Sequence, residues 1–211
     1  LNADGFRFPS HYTPEADAVL PEGLTVAPGI YKLVLSGDQT KDSALIEVKE
    51  TWQEKYNDAA EQQRRLLYNR LKTNTERAFK AYEALKEAEK TIEMVLGARY
   101  ADDSATSKLK KLSGPVKDSI IKLKELFLLP RDFRGYEDAT VRLSDRLYAA
   151  MGYIQSMEMP GQNAEISLKN AELETDRILK RVNDFFSTNW SEFRASAEKE
   201  KLKPFKELGG Y

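Results

Sequence analysis

The sequence predicts a mainly α protein, α+β overall: an up-down-up-down four-helix bundle with long first and last helices, preceded by a small β hairpin. Three observations carry that expectation. Residues 54–100 place leucines, alanines and aromatics at alternating spacings of three and four, with no proline or glycine before Gly97, which is the pattern of one long amphipathic helix. Three further helical stripes follow, separated by short breaks. Period-two patterning is confined to the first fifty residues, where Pro9, Pro14, Pro21 and Pro28 also fall. The expected organisation is therefore a β segment over 1–50 and an antiparallel bundle over 51–211.

Ile30-Tyr31-Lys32-Leu33-Val34-Leu35 and Ala44-Leu45-Ile46-Glu47-Val48 read as two strands of a hairpin joined across 36–42, where Gly37-Asp38 supplies the turn chemistry. Pro28-Gly29 marks the turn into the first strand. Gly5 to Pro9 reads as a further short strand with Phe6 and Phe8 on one face, and residues 10–27 as loop. So few short strands bury too little to stand alone, so they either pack on the helices or belong to a sandwich whose other strands lie elsewhere, and the second is expected. Trp52 and Tyr56 are expected to plug the junction between β segment and bundle.

In the first helix the seam is Leu71, Asn74, Ala78, Ala81, Leu85, Ala88, Ile92 and Val95, widened by Phe79, Tyr82 and Leu96. The second helix, capped by Asp103 or Ser104, carries Leu109, Leu112, Val116, Ile120, Leu123 and Phe127, with a kink or a restart expected at Gly114-Pro115. The third is expected over 137–157, burying Val141, Ser144, Leu147, Met151 and Ile154. The fourth should run from about Gln162 to about Lys201, burying Leu168, Ala171, Ile178, Val182, Phe185, Phe186, Trp190 and Phe193. Short connections make sequential neighbours antiparallel.

There are 33 basic and 34 acidic side chains, a formal charge of −1, so no global field draws nucleic acid or an anionic membrane. Lys108, Lys110 and Lys111 read as a solvated helix face. Zero cysteines remove disulfides, thiolate metal sites and cysteine nucleophiles. No apolar run reaches a membrane span, and the start at Leu1-Asn2-Ala3-Asp4 suggests that something was removed upstream.

Bundles can hold two metal ions through glutamates and Glu-x-x-His pairs, but the single histidine, His11, precedes the helices and reads as solvent-exposed or packed on the hairpin. Asp102 and Asp103 read as a connector, and Glu172, Glu174 and Asp176 as an exposed helix face rather than an acid and a base. Asn189-Trp190-Ser191 matches a glycosylation sequon inside a helix, where chance explains it. No phosphate loop, nucleophile elbow or zinc-protease motif occurs. No catalytic, cofactor-binding or metal-binding residue is expected, and no cofactor.

Val26-Ala27-Pro28-Gly29-Ile30-Tyr31-Lys32-Leu33-Val34-Leu35 with Leu45-Ile46-Glu47-Val48-Lys49 resembles a hairpin near the C-terminus of bacterial sortilin-like, BNR-repeat propeller proteins, often labelled glycosyl hydrolases. Leu143-Ser144-Asp145-Arg146-Leu147-Tyr148-Ala149-Ala150-Met151, then Pro160 and Trp190, resembles that family's C-terminal helical segment. The chain departs from the family at Glu50-Thr51-Trp52, where Asp-Pro-Arg is usual, and at Gly161, where threonine is. The resemblance implies half of an immunoglobulin-like sandwich followed by the bundle, with Leu1 to Gly5 in mid-domain and the propeller absent. It further implies a non-catalytic scaffolding or interaction module of a secreted or periplasmic protein, whose own hydrolytic or sugar-binding activity would reside in the propeller. The partners it implies are the upstream propeller, another protein, or a second copy through the exposed β edge. A free-standing helical adaptor is the competing class, and a carbohydrate-binding part a third.

Overall fold

The structure is a computed structural model and describes residues 2–15, 17–37, 40–50, 57–98, 103–138, 141–156 and 159–201. Trp52, Tyr56 and Asp102 lie outside the described residues. The fold is mainly α, a bundle of helices behind a small β segment.

Helix α1 spans Asp58–Gly97, about 60 Å at 1.5 Å per residue. It starts where Asn57 accepts the Ala60 amide at 3.2 Å, satisfying one of the amides a helix start leaves without a partner. Its seam is as expected: Leu71, Ala78, Leu85 and Ile92, seven apart, are buried, with Asn74, Tyr82 and Ala88 between them. Ala81 and Val95 are half-buried against this core. Asn74 occupies a seam position because its amide donates to Thr175 Oγ1 at 2.9 Å, and Thr175 in turn donates to the Ala171 carbonyl.

Helix α2 spans Asp103–Lys124 and runs without a break through Pro115, so no restart divides it. Ser113, not Leu112, takes the inward position: Ser113 is buried with its hydroxyl turned back to the Lys110 carbonyl, whereas Leu112 is 40% exposed. Spacing 109, 113, 116, 120 keeps the stripe on one face. Asp103 and Ser104 fall within its first turn.

Helix α3 is shorter than expected, Leu143–Ile154. The reason lies at its start, where the Leu143 and Ser144 amides bond to the Leu126 and Phe127 carbonyls beyond the end of α2. One helix end satisfies the other, and Arg142 fastens the corner through Glu137 and the Glu125 carbonyl. Val141 thus falls outside the helix and is exposed. The up-down alternation holds from α1 to α2 and from α3 to α4, while between α2 and α3 the chain carries on in one direction. Arg64 near the start of α1 bonds to the Ile154 and Ser156 carbonyls at the end of α3. At the other end, Lys124 meets Glu89 and Phe127 meets Tyr82. Helices α2 and α3 therefore cover α1 in succession.

Helix α4, Gln162–Phe185, runs alongside α1 in the same direction, as Arg70 with Glu165 and Glu172 and Arg77 with Asp176 show. A π turn over Phe186–Trp190 and helix α5, Ser191–Ala197, continue it. The extra residue in the π turn advances the seam from Phe185 to Trp190 and Phe193 instead of Asn189, so the aromatics stay inward.

Two separate two-stranded sheets precede the helices. Strand β1, Asn2–Asp4, pairs antiparallel with β2, Glu22–Thr25, which lies in the segment expected to be loop. The first strand thus ends just before the expected Gly5 to Pro9 stretch. Phe6 and Phe8 remain on one side, Phe6 against Tyr68 and Phe8 stacked on Tyr148 at 4.2 Å. Gly5 and Gly23 admit this approach, since a Cβ on Gly23 would lie 2.8 Å from both the Tyr68 hydroxyl and the Asp4 carbonyl. Phe6 and Leu24 join the helical core.

The second sheet is the expected hairpin, β3 (Gly29–Ser36) and β4 (Lys41–Val48), in register from Gly29 opposite Val48 to Ser36 opposite Lys41. No residue of either strand is fully buried. Most of its side chains are exposed, with Tyr31, Ile46 and Val48 half-buried.

Candidate functional site

Two surfaces stand out, a polar cleft on the bundle and the hairpin. The cleft, about 530 Å³, lies where the strap at residues 10–13 crosses α1 beside the end of α2. His11 is half-buried there and packs on the bundle, a correction to the expectation of a solvent-exposed or hairpin-packed residue. Its Nε2 lies 2.8 Å from the Leu129 carbonyl, which can only accept, so this nitrogen carries the proton. Nδ1 is then the acceptor for the Tyr82 hydroxyl at 3.3 Å.

Tyr82 is buried, and burial pushes its ionisation up to about 12, with the charges of Glu83 and Glu89 adding to the rise and Arg131 opposing it. It therefore remains a neutral donor through the physiological range. Lys86 lies 5.8 Å from the centre of the Tyr82 ring, pairs with Glu83 at 2.9 Å and reaches the Ser10 carbonyl. Lys124 pairs with Glu89 at 2.7 Å. Both ring nitrogens of His11 are engaged, and Lys86 and Lys124 are each paired with a glutamate. The arrangement ties the strap to the helices.

The structure scatters the other residues considered from sequence. Glu172 receives both Arg70 Nε and Nη2, Glu174 receives Arg177, and Asp176 receives Arg77. Arg177 holds the Glu174 carboxyl below its ordinary range, a little offset by burial. Lys108 pairs with Glu200 and lies with Lys110 and Lys111 on an exposed face. Asn189 is exposed on the π turn, where it accepts from Thr188. Phe185, Phe186, Trp190 and Phe193 form a chain of ring contacts packed with the core. Among the described residues no group of three or more histidine or carboxylate side chains is placed to hold a metal ion, and no helix is long and apolar enough to cross a membrane.

The hairpin presents two unlike faces. Tyr31, Leu33 and Leu35 lie opposite Ile46, Ala44 and Asp42, so one face is apolar over most of its length. Ile30, Lys32 and Val34 lie opposite Glu47, Leu45 and Ser43, a mixed face. Leu35 is 73% and Leu45 75% exposed. Sequence reasoning found these strands and faces; it missed the cleft, because 71 residues separate His11 from Tyr82 and no local pattern joins them. Comparison with protein-family models, curated proteins and solved structures finds no match to this chain.

Proposed function

We propose that this chain is a non-catalytic interaction or scaffolding module, the C-terminal part of a secreted or periplasmic propeller protein of the sortilin-like, BNR-repeat kind that it resembles. The observation that supports the reading is the hairpin: an apolar face of Tyr31, Leu33, Leu35, Ala44 and Ile46, largely uncovered, beside a bundle whose own core is closed. Exposed contiguous apolar surface on a strand pair marks a place where protein docks. The bundle is the rigid mount, and strands of the same polypeptide upstream are the natural cover for this face and for the free edge of β3. Any hydrolytic activity of the parent belongs to its propeller.

The test compares this chain with one extended upstream by about fifty residues, roughly half of a sandwich of about a hundred. The extension is expected to raise thermal stability and to protect Leu33 and Leu35 from solvent, and the upstream gene product is expected to carry propeller repeats. Unchanged stability, or a gene product without such repeats, returns the chain to the alternative of a free-standing helical adaptor with the hairpin as a cap. Binding on a glycan array would favour the carbohydrate reading instead.

A further inference from the structure

The free edge of β4 has a sequence that fits a second copy of itself. The bond from the Gly37 amide to the Thr40 carbonyl, 2.8 Å, closes the turn, and bonding alternates along an antiparallel ladder from there. Asp42, Ala44, Ile46 and Val48 thus direct their backbone groups to β3. Lys41, Ser43, Leu45 and Glu47 direct theirs outward, the Ser43 amide donating to the Asp42 carboxylate at 2.7 Å until a strand replaces it, and all eight residues of β4 are exposed or half-buried.

Two copies of β4 related by a twofold axis must pair antiparallel, with residues of like parity opposite each other so that faces match. Three registers bring a residue between 43 and 45 onto the axis. With Leu45 on the axis, Lys41 meets Lys49 of the second copy, a like-charge pair that disfavours pairing. With Ser43 on the axis the overlap shrinks to residues 41–45. With Ala44 on the axis residues 41–47 all overlap, Ser43 lies opposite Leu45, and Lys41 lies opposite Glu47 of the second copy, twice by symmetry.

On the outer edge of β3 the same operation offers no opposite charges: with Leu33 on the axis the cross-strand pairs are Lys32 with Val34 and Tyr31 with Leu35. Bringing Lys32 onto the axis would oppose it to itself. Charge complementarity therefore selects the β4 edge and its register.

We propose that β4 is a homodimerisation edge, pairing with β4 of a second copy about a twofold axis through Ala44, fixed by two Lys41 to Glu47 ion pairs, into a four-stranded antiparallel sheet ordered β3, β4, β4, β3. The proposal rests on reading the hairpin as an interaction element and names the partner of one edge. It leaves the apolar face and the β3 edge to upstream strands, as in sandwiches whose final strand is an edge strand.

The chain has no cysteine, so a single introduced thiol reports one position. Residues facing each other on the axis as a non-hydrogen-bonded pair have Cα atoms about 4.5 Å apart, at the near end of the range of about 4.4 to 6.8 Å that a disulfide spans. Ala44→Cys is expected to give a disulfide-linked dimer under mild oxidation, Leu33→Cys a monomer, and light scattering of the unaltered chain a mass twice 24.0 kDa. Lys41→Glu or Glu47→Lys alone is expected to weaken association about tenfold. Mixing the two single variants, or combining both changes in one chain, restores it, because every facing pair is again opposite in charge.

A monomeric mass up to high micromolar concentration overturns the proposal, as does cross-linking of Leu33→Cys in place of Ala44→Cys, or charge reversals without effect. Those results leave the upstream extension experiment intact. That experiment reads the apolar face, so the failure of one is distinguishable from the failure of the other.

Discussion

The bundle and the hairpin are written in the same alternating language of apolar and polar residues, yet they end in opposite environments. Leu85 and Ile92 of α1 are 0% exposed, because α2, α3 and α4 supply covers of matching length on the same chain. Leu35 and Leu45 carry equally apolar side chains at equally regular spacing and remain about three-quarters exposed. Periodicity fixes which residues share a face; what covers that face is a separate property, decided by the elements within reach.

The sharpest way to break this contrast is to truncate a leucine in each region. Leu85→Ala is expected to cost about 2 to 5 kcal/mol in chemical denaturation, the transfer term plus a cavity among packed helices. Leu35→Ala in the unaccompanied chain should change stability by less than about 0.5 kcal/mol, as surface substitutions do. A loss below about 0.5 kcal/mol for Leu85→Ala would show that its face had been misassigned.

A smaller effect sharpens the comparison at the boundary where strap meets helix. The folded state raises the Tyr82 pKa from 10.0 to about 12. The resulting stabilisation is complete below about pH 10 and is lost as pH rises through about 12. About 3 kcal/mol should disappear over that window in the native chain. Tyr82→Phe should flatten this part of the curve, and since the lysines titrate in both proteins, the difference between the two pH profiles isolates the phenol. Parallel profiles would mean that Tyr82 ionises without disturbing the fold.

The least effect is expected from the exposed ion pairs. Arg77 and Asp176 lie 2.8 Å apart with half or more of each side chain exposed, so solvent screens them and Arg77→Ala should shift stability by less than about 0.5 kcal/mol. A double-mutant cycle with Asp176→Ala checks it, and a coupling above about 1 kcal/mol would show that such pairs fix the bundle's register.

Much of the helical architecture was legible locally. The seam of α1, the inward faces of α2 and α4 and the pairing of β3 with β4 follow from spacing, since side-chain periodicity is a property of the backbone itself. Where reading failed, a partner distant in sequence had intervened. The stripe places Val141 in a helix, but its amide turns back to the Asp138 carbonyl and α3 begins only at Leu143, whose amide and that of Ser144 are met by the Leu126 and Phe127 carbonyls beyond the end of α2. Strand β2 was hidden in a segment of mixed composition, because it exists by pairing with residues some twenty positions earlier.

The sequence by itself determined that this is a mainly α protein, which residues share each face, and that cysteine chemistry is absent, because each is set by residue identity and short-range spacing. Only the tertiary structure decided that α2 and α3 follow each other along α1, that His11 reaches Tyr82 and Leu129, and that Leu33, Leu35 and Leu45 of the hairpin stay exposed. Those outcomes depend on how helix ends, a strap and a strand pair meet across long stretches of chain, where packing and hydrogen-bond satisfaction select one arrangement among several that the local pattern permits.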